Sequence, residues 1–392
     1  MELKGCRFKR PLSREFKKFC LMFMFSAVLI GSAFVTIVDA GSFSVAVQAV
    51  KRVLRNNTLK PLSDVYGQTL FTDNNVLFRG TVYVGTPPTP FTVIFDTGSH
   101  MLWLPKKGCK SSGRFAKNCA SGINLYDPES SVTSHPTNTP FFIEYGTGQA
   151  KGEYYTDFLT FGSAMRFKNS ITFGVGEEME FLDEGVLGLP SSFDSANHGS
   201  SVMHEAWKQK LLDAPIFTVY MRKCPQADDC QPTGLITFGA IDKHNCDKIE
   251  GRVKVESDSI KWIFDVSGFQ IGHAIADVYV RAFSDSGASA IYVPKVFFKK
   301  IMTVIKAKAE KKSYTVKCDT NATVTLTINS RQYTIPSHRM LKNLHNGDCA
   351  VRIRESVEED MWVLGHPFIE MFCQVHNIDK GEISFAKVRE QS

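Results

Sequence analysis

The sequence predicts a mainly β protein built from two related halves. Three observations carry this. Short apolar or alternating runs recur after Asp64, each bounded by Gly, Pro, Asn or Asp, which is the pattern of strands joined by tight turns. Helix-length periodic segments are few. A strand-like run closing on an Asp-Thr-Gly or Asp-Ser-Gly turn occurs twice.

The clearest strand runs are residues 80–84, 91–95, 141–145, 157–161, 216–221, 235–238, 323–328 and 383–386. The 30 Phe add to the case, since aromatic rings pack well on a half-buried pleated surface. Helical periodicity is confined to residues 203–212 and to residues 296–308, which Pro294 opens. A weaker amphipathic pattern over residues 45–54 predicts one or two helical turns.

The repeat carries the domain organisation. The first copy runs from Phe91 through Phe95 to Asp96-Thr97-Gly98-Ser99, and the second from Val278 through Phe283 to Asp285-Ser286-Gly287-Ala288. Two apolar residues and a glycine follow each copy, Val186-Leu187-Gly188 in the first and Val363-Leu364-Gly365 in the second. From Asp to that glycine the spacings are 92 and 80 residues. Two halves that each offer one Asp on a strand-end loop make a two-lobed design. The expected boundaries are residues 67–215 for the N-terminal β lobe and 216–392 for the C-terminal one.

The formal charge of +6 is concentrated at the start of the chain. Residues 1–40 hold seven Lys/Arg against Glu2, Glu15 and Asp39. The remainder has no basic stripe interleaved with aromatics, which argues against a nucleic-acid partner. The same forty residues read as a signal peptide: a basic stretch, an apolar run over residues 21–38, then Val38-Asp39-Ala40 at a cleavage site. A retained signal anchor is the alternative, so a membrane enters only if the run is kept. Residues 41–66 are short and basic and read as a prosegment. Either way the chain is directed to the secretory pathway, and is expected to be secreted or lysosomal.

Eight of the ten Cys lie beyond the leader, and an even number in an oxidising compartment points to disulfides whose pairing the sequence alone leaves open. Neither Cys-x-x-Cys nor His-x-x-x-His occurs, so no metal and no cofactor is expected. The sequons at Asn56 and Asn321 fit glycosylation on the secretory route.

The chemistry follows from the repeat. A small residue and a glycine after each Asp let the two loops approach closely, and the Thr97 and Ser286 hydroxyls can bond to neighbouring backbone. Two carboxylates brought together cannot both ionise easily, so the pair shares a proton. The ionised member then takes a proton from water while the protonated member bonds the scissile carbonyl. Gly-x-Ser-x-Gly is absent, and no Cys has a thiol-protease context.

From about Phe78 to Lys387 the sequence resembles the pepsin family of aspartic proteases, which implies a bilobal β fold with the active site in the cleft between lobes. Proton sharing is established for such dyads and is taken over from them. The resemblance implies Asp96 and Asp285 as catalytic residues acting on polypeptide substrates in a monomer. It implies Tyr145-Gly146-Thr147-Gly148 as a flap over substrate, with Gly287 also in the substrate site. Trp103 would hold Tyr145 through its indole N–H, and Ser99 would bond the Asp96 carboxylate. By family position Cys109 pairs with Cys119 and Cys318 with Cys349; the remaining four suggest Cys224–Cys230 and Cys246–Cys373, as in nematode members. Ser286 stands where Thr is usual, Ala288 where many members have Thr, and His100 where a small polar residue is usual. Asp183 lies near the first specificity pocket. Ala288 cannot donate a hydrogen bond to the second carboxylate, which predicts a weakly acidic optimum. The competing expectation is a catalytically inactive binding protein on the same fold.

Overall fold

The computed structural model describes residues 43–51, 76–112, 125–146, 148–161, 165–180, 184–192, 200–222, 234–276, 278–310, 313–357 and 360–389. The leader, Asn56, Cys119, Thr147, Asp183, Cys224 and Cys230 lie outside them. The fold is mainly β, with each sequence-predicted strand represented. Residues 216–221 form the strand Ile216–Met221, and residues 91–95 lie inside Thr89–Asp96. The run over 157–161 is split, ending one strand at Asp157 and starting another at Leu159.

The internal repeat is a repeat of topology. In the first half Val76–Val84 pairs antiparallel with Thr89–Asp96, which pairs parallel with Gly185–Gly188. That strand pairs antiparallel with Leu102–Ser112, which pairs parallel with Ile171–Glu180. In the second half the same order and polarity run through Ile263–Val266, Val280–Ser284, Met361–Leu364, Ile291–Val293 and Ile353–Glu355. Each Asp-bearing strand is thus flanked in parallel by its own apolar-apolar-Gly strand.

One hydrogen-bonded path crosses from half to half. The strand Phe43–Lys51 pairs with Gly234–Phe238 on one side and with Val76–Val84 on the other. This corrects the helix predicted over residues 45–54. Two strand edges are open to this segment and pair with its backbone along its length.

Phe and Trp fill the core. Trp103, Trp262, Trp362, Phe78, Phe95, Phe141, Phe161 and Phe173 are among the largest fully buried side chains, each stabilising the fold by roughly 1.5–3 kcal/mol. The helices are shorter than predicted. Val202–Lys208 and Lys295–Val304 both stop just before a left-handed lysine, Lys210 at φ 54° and Lys306 at φ 51°. Lys does here what Gly or Asn usually does, so the sequence carries no stop signal. Cys246 is bridged to Cys373 and Cys318 to Cys349, and Cys109 is disulfide-bonded.

Candidate active site

Asp96 ends its strand because the chain must turn there, and neighbours fix the turn on both sides. Leu189 N–H donates to Asp96 O at 2.8 Å, and Gly188 N–H to Met101 O at 2.8 Å. A Cβ on Gly188 would come within 2.4 Å of Met101 N, so only glycine fits. The second half repeats this. Asp285 N–H donates to Leu364 O at 3.2 Å, and a Cβ on Gly365 would sit 2.1 Å from Ala288 O.

The two turns are tied together by a reciprocal set of bonds. Thr97 Oγ1 donates to Ser284 O at 3.1 Å and accepts from Ser286 N–H at 2.9 Å. Ser286 Oγ donates to Phe95 O at 2.8 Å and accepts from Thr97 N–H at 3.0 Å. The hydroxyls therefore bond to backbone of the opposite half, not of their own. All four partners are buried, where each such bond is expensive to lose.

This places the carboxyls side by side. Gly98 N–H donates to Asp96 Oδ1 at 2.8 Å, and Gly287 N–H to Asp285 Oδ1 at 2.7 Å. A Cβ on Gly98 would sit 2.8 Å from Asp285 Oδ2, and one on Gly287 2.9 Å from Asp96 Oδ1. Each glycine leaves room for the other half's carboxylate. Burial pushes the Asp285 carboxyl well above the usual range, with the charge of Asp96 and a hydrogen bond shared with it acting the same way. The Gly287 N–H and the Lys261 ammonium oppose the rise without cancelling it.

Above the pair, the hairpin of His135–Tyr145 and Gly148–Asp157 brings Tyr145 to Trp103, whose Nε1–H donates to the Tyr145 hydroxyl at 2.8 Å. Burial raises the Tyr145 hydroxyl far above its ordinary value, so it stays neutral. Ser99 departs from expectation. Its Oγ is buried and makes no hydrogen bond to Asp96, lying instead beside the Tyr145 hydroxyl, while Asp96 Oδ1 accepts from the Gly98 N–H.

His366 was not singled out in the sequence. Fully buried, it holds the Asp285 turn at two carbonyls. Its backbone N–H donates to Ala288 O at 2.9 Å, and its Nε2 lies 3.0 Å from Ser286 O. With a carbonyl as partner, Nε2 carries the proton. Burial pushes its pKa down to about 4. Among the described residues no group of three His, Cys, Asp or Glu is placed to hold a metal ion. A cavity of about 750 Å³ lined by His273, Val304, Lys306, Lys317 and Asn321 lies apart from the residues around Asp96 and Asp285.

The family described as eukaryotic aspartyl protease matches residues 77–388. The chain belongs to this family. Aspartic protease 1 of Caenorhabditis elegans is 30% identical, covering 79% of this chain and 81% of the relative. Aspartic protease 2 of Necator americanus is 28% identical over 89% of this chain and 92% of the relative. Pepsin A of Canis lupus familiaris is 28% identical, over 79% and 81%. As a member of the eukaryotic aspartyl proteases, the chain is an aspartic-type endopeptidase by family and a hydrolase in reaction class.

Proposed function

We propose that the chain is an active endopeptidase in which Asp96 and Asp285 together activate a water for attack on a peptide carbonyl. The close approach of the two carboxyls and the raised Asp285 carboxyl support this reading above all, because a proton held on one acid beside a second carboxyl is what the step requires. The ionised carboxyl accepts a proton from water as its oxygen bonds to the carbonyl carbon. The protonated carboxyl donates to the carbonyl oxygen. The first carboxyl then gives its proton to the amide nitrogen, the C–N bond breaks, and a hydroxyl of the tetrahedral intermediate returns its proton to the second carboxyl as the carbonyl reforms.

In this reading Tyr145, Gly146 and Thr147 close over the substrate and Trp103 holds Tyr145 in place. Gly98 and Gly287 admit the carboxyls, and Thr97 and Ser286 lock the turns. Residues 1–40 direct the chain into the secretory pathway, residues 41–66 are removed as a prosegment, and the lobes comprise residues 67–215 and 216–392. Asn321 is exposed and stands in a sequon, which fits glycosylation there. Among the described residues no helix is long and apolar enough to cross a membrane. The working range is weakly acidic.

The purified protein should cleave a denatured globular protein between about pH 4 and 6, the span set by ordinary carboxylate and His values, and a statyl peptide should stop it. An intact substrate after prolonged incubation across that range would overturn the reading. Tyr145→Ala should lower kcat/KM by roughly tenfold, or about 1.4 kcal/mol of transition-state stabilisation. Unchanged kinetics on a peptide of six or more residues (the order of length that reaches under a closing hairpin) would remove Tyr145 from that role.

A further inference from the structure

The matched topology of the two halves gives Trp103 a counterpart. Trp103 pairs with Val186 on the strand beside Asp96, and Tyr292 pairs with Val363 on the strand beside Asp285. On its other side Trp103 pairs with Gly174, over which the Phe141 ring packs so closely that a Cβ would sit 2.7 Å from it. Tyr292 pairs instead with Arg354. Directly paired residues on adjacent strands share a face, so Val363, Tyr292 and Arg354 stand in a row.

That face is the wall beside Asp285. Ile263, Phe283, Ala288 and Val363 form one apolar cluster, with Tyr292 and Met361 packed against it. Phe283 and Ala288 flank Asp285 in sequence. At one end the Lys261 ammonium lies 4.7 Å from the centre of the Phe283 ring, close enough for its charge to act on Asp285. At the other end stands Arg354. Three residues past it, Val357 meets the flap, since a Cβ on Gly146 would sit 3.2 Å from Val357 Cγ2. The wall therefore runs from the dyad to the point where the flap touches the C-terminal half.

Arg354 differs from three arginines that hold carboxylates. Arg79 holds Glu184, Arg281 holds Glu256 and Arg352 holds Glu370. Among the described residues no carboxylate pairs with Arg354; its Nη1 donates to the carbonyls of Val351 and Ile353. Burial pushes this guanidinium below its ordinary range. A half-buried cation with no carboxylate partner among the described residues carries a desolvation cost, and a bound carboxylate would lower it.

We infer that this wall reads a carboxylate on the substrate, with Arg354 as its main recognition group and Lys261 as a second. The inference rests on the proteolytic reading above. The apolar floor between two cations fits a side chain with a hydrocarbon stem and a terminal carboxylate, which is glutamate. The planar guanidinium fork can take both carboxylate oxygens at once.

The test uses amidated peptides of one cleavable sequence, with Glu, Gln or Lys placed in turn at each position around the scissile bond. In wild type at about pH 5.5, where glutamate is ionised, one position should favour Glu over Gln by roughly tenfold in kcat/KM. Arg354→Gln should bring that ratio below about threefold and Lys261→Met should lower it less, while Arg354→Lys retains part of it. Arg354→Met serves if Arg354→Gln does not fold. A second arm compares Gln peptides with free and amidated C-termini, and a preference seen only there assigns the wall to a terminal carboxylate instead, against glutamate. Absence of any Glu preference in wild type, or a ratio unchanged in Arg354→Gln, overturns the inference. If wild type cleaves neither these peptides nor denatured protein, the proteolytic reading has failed and not this one.

Discussion

Asp96→Asn and Asp285→Asn should each give a folded protein that hydrolyses peptides more slowly than wild type by on the order of a thousandfold. The geometry survives because asparagine keeps an oxygen for the Gly98 or Gly287 N–H and nearly the same volume. The protonic function does not survive, since an amide neither takes a proton from water nor shares one with its neighbour. Stability should move the other way for Asp285. An acid whose folded pKa is raised binds its proton more tightly in the folded chain. Folding is therefore disfavoured as pH rises past the unfolded value near 3.9, and the cost persists at neutral pH. Asp285 is such an acid, so Asp285→Asn should melt at or above the wild-type temperature at pH 7. Lost turnover with retained or raised Tm separates a catalytic role from a structural one. A variant keeping a tenth of wild-type turnover would exclude the shared-water mechanism.

The halves and their aspartates were legible because the signal is local. An apolar strand, an acid and a glycine stand within nine residues, and the Val-Leu-Gly partners repeat at similar spacing. That each Asp-bearing strand takes its Val-Leu-Gly run as a parallel neighbour appears only in the fold. What was not legible depends on partners far apart in the chain. The Thr97 and Ser286 hydroxyls have obvious capacity, but their bonds span 187 to 191 residues. Ser99 illustrates the converse, because resemblance assigned it to Asp96 while packing leaves it beside Tyr145. The segment from Phe43 to Lys51 tolerates either period over a few residues, and two open strand edges decide for β. His366 has no distinguishing signal in the sequence, and only its packing against the Asp285 turn buries it.

Strong acid should unfold the protein through two buried histidines. His366 and His376 are both fully buried. His376 lies flat on Phe217, with ring centres 4.4 Å apart, and edge-on to Trp262 at 4.6 Å. Burial pushes its pKa down to about 3, the Gln374 backbone offsetting only part. His366 falls to about 4; Glu370 opposes the fall, but Glu370 is itself held by Arg352. A histidine whose folded pKa lies below the unfolded 6.5 takes up its proton more readily once unfolded. Its contribution is fully present above pH 6.5 and is lost as pH falls toward the folded value. By pH 3 the losses are about 3 kcal/mol for His366 and about 4 kcal/mol for His376, together comparable with the whole stability of a typical domain. Asp285 acts in the opposite direction, regaining stability as it is protonated, but that gain ends near the unfolded value of about 3.9 while the histidine losses continue below it. The dyad needs its shared proton and the histidines need to be neutral, and both conditions hold only in weak acid. Thermal melting should therefore show a high Tm near pH 6 to 7 and a steep fall below about pH 5. In His376→Phe, which keeps an aromatic ring against Phe217, the fall should begin at lower pH. A wild-type Tm that is flat down to pH 3.5, or a His376→Phe profile that overlays wild type, would show that these rings do not set the acid limit.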